Sequence, residues 1–256
     1  MDAHLDTDVL IVGAGPVGLT LAFDLGRRGI KTTIIEQKAE PAFLPKMERC
    51  NARTMEIFRR LGIVDDVRKA GLREDVPMDV FVVLSLDRPP LLRLPYPSVK
   101  EAKLDARATN DGTAPCEPYQ LISQYSLEPL LAKFCEKQTN VTLRWSTEFV
   151  ALAQDPEGVT VQVRGTDGAT SSVRARYVVG CDGGVSPVRH AINIKLRGEA
   201  GLLGLRQALY RCDELFDRLP IGNGPTRGGP LSCGRRQGDV PHHAGLYKAL
   251  DPARHC

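Results

Sequence analysis

The first apolar cluster is residues 9–12, Val-Leu-Ile-Val, held between Asp8 and Gly13. A run this short, bounded by a charge and a glycine, predicts a buried parallel strand. The period then changes. Over residues 16–28 the apolar positions Val17, Leu21 and Leu25 recur at helical spacing, and Gly29 supplies a stop. Residues 32–35 return to β-branched character and end at Glu36. Strand, helix and strand in about the minimum length predict a β-α-β unit.

Further along, residues 53–61 read as a helix closed by Gly62. Residues 78–86 and 91–94 read as strands, and residues 95–118, rich in Pro, Asp and Ala, as a loop. A second helix is predicted over residues 124–137, where Leu127, Leu130, Leu131 and Phe134 keep the 3.6 period. Four strands follow at 141–144, 148–153, 159–164 and 172–179, with turn residues Asp155, Gly158, Asp167 and Gly168 between the later ones. The alternation of Val159, Val161 and Val163 predicts an antiparallel strand with one wet face. A small β-meander is therefore expected to be inserted before the chain returns to the parallel sheet at residues 177–179. From about Asn223 the pattern fails: Gly, Pro, Arg, His and Cys crowd together, and His242, His243 and His255 fall in this tail.

Composition narrows the class. A chain of 256 residues, 42% hydrophobic and 25% charged, has an ordinary globular profile. Its formal net charge of +3 is too small to predict a nucleic-acid or membrane-surface partner. Residues 1–8 are polar and acidic, unlike a signal peptide, and no apolar stretch approaches a membrane span. The 7 cysteines are scattered without a C-x-x-C pair or any metal-ligand spacing. Reduced thiols, a cytoplasmic location and no metal site are expected. Oligomeric state is not legible.

The chemistry-bearing motif sits in the β-α-β unit. Gly13-Ala14-Gly15-Pro16-Val17-Gly18 is a G-x-G-x-x-G loop that follows a strand, opens a helix, and is followed by Glu36 at the end of the next strand. That context predicts a dinucleotide site. Gly13 allows the tight turn, Gly15 lets the backbone approach a pyrophosphate, and Gly18 lets helix and strand pack closely. Helix N–H groups and the helix dipole hold the anion, and Glu36 accepts hydrogen bonds from a ribose. The loop does not say which dinucleotide binds, and an NAD-dependent dehydrogenase would use the same fold.

Further segments carry a more specific likeness. Residues 8–19 resemble the start of the FAD-dependent aromatic hydroxylases, the para-hydroxybenzoate hydroxylase-like class A flavoprotein monooxygenases. Asn51-Ala52-Arg53-Thr54-Met55-Glu56 matches next. Gln124-Tyr125-Ser126-Leu127-Glu128-Pro129-Leu130-Leu131 follows, and then residues 178–189, which contain Cys181-Asp182-Gly183-Gly184-Val185-Ser186-Pro187 and end at Arg189. Within the family, the likeness is greatest to hydroxylases of phenols and phenylpropionate-type acids. The resemblance implies bound FAD, transient reduction by NADPH or NADH, and hydroxylation of a small aromatic substrate with O2 through a flavin hydroperoxide. The NAD-dependent alternative is disfavoured by the Gln124 helix and the Asp182 motif.

Residue roles follow from the same resemblance. Asp182 and Gly183 help hold FAD, Arg189 assists the pyridine nucleotide, and Gln124 contacts the flavin. Each has a plainer alternative. Asp182 also suits a turn or helix-cap carboxylate, and Gln124 a polar helix start. Arg53 fits equally near the FAD phosphates or as a solvated helix-start arginine. Lys46 stands where relatives carry an arginine, keeping the charge without its bidentate geometry.

The fold class expected is α/β: a Rossmann-like FAD-binding parallel sheet with an inserted antiparallel β-meander and part of a mixed-sheet substrate domain. Its division is 1–77 and 121–195 for FAD binding, 78–120 and 196–222 for substrate, and 223–256 as a disordered tail outside the family. Residues 202–210 still look like the family. Gly238-Asp239-Val240-Pro241-His242 resembles a downstream flavin motif only by chance. Relatives of this kind are longer, so a truncated chain, with an out-of-frame tail and weak or no activity, is a further expectation.

Overall fold

A computed structural model describes residues 5–41, 47–85 and 88–199, together with the backbone of two later strands. The chain divides into two compact units, residues 1–48 with 123–198, and residues 49–122 with 199–256.

The first unit is built on a six-stranded sheet. Strands β1 (Thr7–Val12) and β2 (Thr32–Ile35) flank helix α1 (Pro16–Arg27) and run parallel, Val9 opposite Thr32. Further parallel partners are β7 (Val141–Arg144) beyond β2 and β10 (Thr170–Gly180) on the other side of β1. Strands β8 (Glu148–Asp155) and β9 (Gly158–Arg164) complete the order β7-β2-β1-β10-β9-β8 with antiparallel pairings. The expected meander is present, and the chain returns from it to the parallel sheet. The single long strand β10 does both: residues 170–175 pair antiparallel with β9, and residues 175–180 pair parallel with β1.

Central β1 is buried on both faces, and successive side chains point opposite ways. Leu10 and Val12 pack with Phe149, Val161 and Val163 of the meander in one core. Their neighbours Val9 and Ile11 point to the opposite face. The meander strand β9 shows the expected alternation, Val159, Val161 and Val163 in, Gln162 and Arg164 out. Each fully buried aliphatic side chain of this core contributes about 1.5–3 kcal/mol. Helix α5 (Gln124–Glu136) packs against α1, with the Cys135 thiol 3.2 Å from the Leu19 carbonyl and Phe134 against Phe23. Gly26 of α1 keeps the connection tight, since a Cβ there would lie 2.6 Å from the Val141 side chain.

The second unit holds β3 (Arg49–Cys50) paired with β6 (Gln120–Leu121), and helices α2 (Ala52–Leu61), α3 (Val64–Ala70) and α4 (Val99–Thr109). A mixed four-stranded sheet runs β12-β11-β4-β5, with β4 (Val80–Val83), β5 (Leu92–Leu94), β11 (Pro230–Cys233) and β12 (Gly245–Lys248). Two stretches of the tail expected to be unstructured are therefore strands. Residues 49–77 belong with this unit rather than with the β-α-β unit, and Arg68 shows why. Only 3% exposed, it donates to Glu117 (3.0 Å), to the Gln120 side chain (2.9 Å) and to the Pro118 carbonyl (2.6 Å). Removing one partner from such a buried set leaves an uncompensated charge, at a cost of about 3–5 kcal/mol.

Two helices were not legible. Helix α3 is only 7 residues long, with Asp65 and Asp66 in its first turn. Helix α4 lies inside the stretch expected to be a loop and buries only Val99, so it has no apolar stripe to read. Its signal is a capping box: Ser98 accepts from the Glu101 N–H, and the Glu101 carboxylate accepts from the Ser98 N–H at 2.8 Å. Ser98→Ala should destabilise this helix by about 1 kcal/mol, seen as faster amide exchange in α4 while exchange in the first unit is unchanged.

Asp155, at the β8–β9 turn, is gripped by Arg174 of β10 at 2.6 Å. That guanidinium holds the Asp155 carboxyl at about 2, below its ordinary 3.8. The tether is thus complete above pH 3.8 and is lost as pH falls toward about 2. An NMR titration of the Asp155 carboxyl carbon should place its midpoint near the lower value, and Arg174→Ala should raise it toward the ordinary one, with the Glu157 N–H still holding it down.

Candidate dinucleotide-binding site

The site grows from the C-terminal ends of the parallel strands, where ligands of open α/β sheets bind. β1 ends at Val12, and the chain turns at Gly13 with φ +105°, its N–H donating to the Ile35 carbonyl at 2.8 Å. A Cβ on Gly13 would lie 2.6 Å from the Cys181 carbonyl oxygen and 3.0 Å from the Asp182 Cα. The turn after β10 is laid directly on this glycine, and the Cys181 N–H donates to the Val12 carbonyl at 2.7 Å. A Cβ on Gly18 would sit 2.0 Å from the Gly13 carbonyl oxygen and 3.2 Å from the Cys181 Cβ. The protein's own packing therefore requires both residues to be glycine.

Gly15 is different. Its φ of −74° and ψ of −178° suit any residue, and a Cβ there would meet a single described atom within 4 Å, Glu128 Oε1 at 3.8 Å. Nothing in the described protein demands a glycine, and the space that Gly15 leaves open is where a pyrophosphate approaches such a loop. Pro16 occupies the first turn of α1, Val17 is 70% exposed, and no side chain caps the helix. The N-terminal dipole end thus faces outward.

Glu36 closes β2 beside this loop. One carboxylate oxygen accepts from the Ala14 N–H at 3.0 Å, the other from the Lys38 N–H at 3.1 Å. Each oxygen retains a second lone pair for a ribose hydroxyl.

The Asp-Gly turn follows β10. Asp182 Oδ2 accepts from the Val188 N–H at 3.0 Å, so the carboxylate caps helix α6 (Pro187–Ala191), where the Ser186 hydroxyl also accepts from the Arg189 N–H. The helix-cap alternative for Asp182 thus has a direct contact. Gly183, with φ +86°, and Gly184 have open space around them. Arg189 donates to the Gly184 carbonyl at 2.9 Å and clamps the turn. Burial, with the Asp182 charge next, pushes the Cys181 thiol up, so it stays neutral against Gly13 and Gly18.

Gln124 opens α5 and is 7% exposed. It exchanges two hydrogen bonds with Met47, backbone N–H to the Met47 carbonyl and Met47 N–H to Oε1, each at 3.1 Å. Its Nε2 donates to Glu128 Oε1 at 2.6 Å. Glu128 was missed by the motif reading. The available signal was a carboxylate four residues from Gln124, among the apolar positions Leu127 and Leu131 of one helix. Arg53 belongs to the second unit, where it is exposed and sits 3.5 Å from Glu56, three residues on. The helix-start alternative fits that setting. Lys46 and residues 202–210 lie outside the described residues.

A glycine loop between β1 and α1, an acid closing β2 and a second glycine turn after β10 define a dinucleotide-binding α/β protein. A family model described as FAD binding domain matches residues 6–213. The chain belongs to the FAD-binding class A flavin monooxygenase family. It is 33% identical over 192 residues to the FAD-dependent monooxygenase apdD of Emericella nidulans, covering 74% of this chain and 31% of that protein. Over 191 residues it is 33% identical to the 3-(3-hydroxy-phenyl)propionate/3-hydroxycinnamic acid hydroxylase of Mycolicibacterium smegmatis, covering 75% and 31%. It also superposes on the flavin-dependent monooxygenase PieE, solved in complex with FAD and substrate. The TM-score is 0.68 at 31% identity, covering 78% of this chain and 34% of that one. The chain spans about a third of the length of these relatives.

The three loop glycines should separate by experiment. Gly13→Ala and Gly18→Ala force backbone clashes and should destabilise the first unit by about 3 kcal/mol or more. Gly15→Ala should leave the denaturation midpoint within about 0.5 kcal/mol of the parent, while weakening dinucleotide binding. Urea unfolding and ligand titration on the three variants check this.

Proposed function

We propose that this chain carries the FAD-binding part of a monooxygenase that consumes NADPH or NADH and hydroxylates a phenol-type aromatic substrate with O2. The observation that carries the reading is Gly15, a glycine with ordinary backbone angles whose missing side chain leaves room for a ligand. The family assignment and the hydroxylases among the relatives support the same conclusion.

In this reading the chain binds and orients, and the redox chemistry, hydride acceptance and O2 activation, is supplied by FAD when bound. The loop of Gly13, Gly15, Pro16, Val17 and Gly18 at the start of α1 holds the pyrophosphate: the N–H groups of Gly15, Val17 and Gly18 donate, while Gly13 shapes the turn and Pro16, which has no N–H, sets the first helical residue. Glu36 accepts from the ribose hydroxyls of the adenosine half. The turn at Asp182 and Gly183 presents backbone to the cofactor, kept in shape by the Asp182–Val188 bond and the Arg189 clamp. Arg189 also assists the pyridine nucleotide. Gln124 contacts the flavin from the start of α5. The reading requires neither a metal nor a side-chain nucleophile.

The purified chain, titrated with FAD, should take up the cofactor, show flavin bands in the visible spectrum and release FAD on denaturation. Glu36→Ala should weaken that binding about tenfold, equivalent to about 1.4 kcal/mol. Oxidation of NADPH or NADH stimulated by members of a phenol panel would extend the result to the reaction. A chain that takes up no FAD, or that binds NAD in preference to it, would contradict the proposal.

A further inference from the structure

We infer that Glu128 is a positioning residue of the dinucleotide site, fixing the orientation of the Gln124 amide beside the open face of Gly15. The inference rests on the FAD-binding reading above and goes beyond it in assigning a role to a buried carboxylate. Glu128 is 4% exposed, on the same face of α5 as Gln124, Leu127 and Leu131. An ionised side chain at such a position is costly unless it is hydrogen-bonded, and an aliphatic residue would pack there without that cost.

The contacts of Glu128 give it a role. Glu128 Oε1 accepts from Gln124 Nε2 at 2.6 Å, and Gln124 Oε1 accepts from the Met47 N–H at 3.1 Å. A side-chain amide has two ends of nearly equal size, and its orientation is set by its partners. An ionised carboxylate only accepts, and a backbone N–H only donates. With one at each end, the amide of Gln124 has a single satisfied orientation. The same Glu128 Oε1 is the described atom nearest to where a Gly15 side chain would begin, at 3.8 Å. One carboxylate thus joins the residue assigned to the flavin to the loop assigned to the pyrophosphate.

The test is a double-mutant cycle on the full chain, with FAD affinity read by flavin fluorescence and Met47 amide exchange read without ligand. Glu128→Ala should weaken FAD binding about tenfold and expose the Met47 amide to faster exchange. Glu128→Gln keeps an acceptor oxygen and should restore both. In a Gln124→Ala background, Glu128→Ala should cost nothing further. Leu131→Ala, a core truncation on the same helix, should lower the melting temperature without moving FAD affinity well below it, which separates positioning from general destabilisation. Unchanged affinity and Met47 exchange in Glu128→Ala, or losses additive with Gln124→Ala, would overturn the inference and leave the FAD-binding reading standing. A parent chain that binds no FAD would overturn both.

Discussion

The close approach of two backbones holds the first unit's site together. At the head of the sheet, the turn after β10 lies on Gly13 so closely that one added carbon would meet the Cys181 carbonyl oxygen at 2.6 Å. Gly18 then packs on Gly13 from the helix side, tighter still. These contacts fix where β1 ends, the angle at which α1 leaves, and how near the Asp-Gly turn stands to the glycine loop. Because β1 and β10 are hydrogen-bonded neighbours from Thr7 to Val12, their ends arrive together, and two motifs about 170 residues apart form one surface.

The rest of the unit serves that meeting. β10 is one continuous strand shared by two pairing modes, so the register of the meander and that of the parallel sheet are set by the same backbone. A slip of one residue would turn every inward valine of the meander toward water. On the other side, α5 packs against α1 and brings Gln124 and Glu128 up beside Gly15. The loop's conformation is therefore established by protein contacts at Gly13 and Gly18, leaving Gly15 as the position whose identity no described protein contact explains.

Much of this was legible in the sequence because it is written in local rules. The β1-α1-β2 unit, α2 with its Gly62 stop, α5, and strands β7 to β10 all follow from period and turn chemistry. What local pattern did not announce was of two kinds. Helix α4 has no buried stripe, so periodicity missed it although Ser98 and Glu101 marked its start. The joining of residues 49–77 to the second unit depends on Arg68 finding Glu117 and Gln120, contacts some 50 residues away that no local pattern announces. The candidate site divides in the same way. Gly13, Gly15, Gly18 and Glu36 were assigned by spacing, and the structure brings them together. Asp182, Arg189 and Gln124 were assigned by resemblance, and each has a clear structural partner within the first unit. Glu128 escaped because a charge on an apolar helix face carries meaning only once its neighbour Gln124 is seen to be held at both ends.

The central claim is that the space at Gly15, next to Glu128 Oε1, is a dinucleotide site. Amide chemical-shift mapping of the isotopically labelled chain during an FAD titration tests it most directly. The account predicts saturable shifts concentrated at residues 13–15, 17 and 18, at Lys38 and at Gly183 and Gly184, with the meander amides unmoved. Absence of saturable shifts, or shifts clustered away from the ends of β1, β2 and β10, would contradict it.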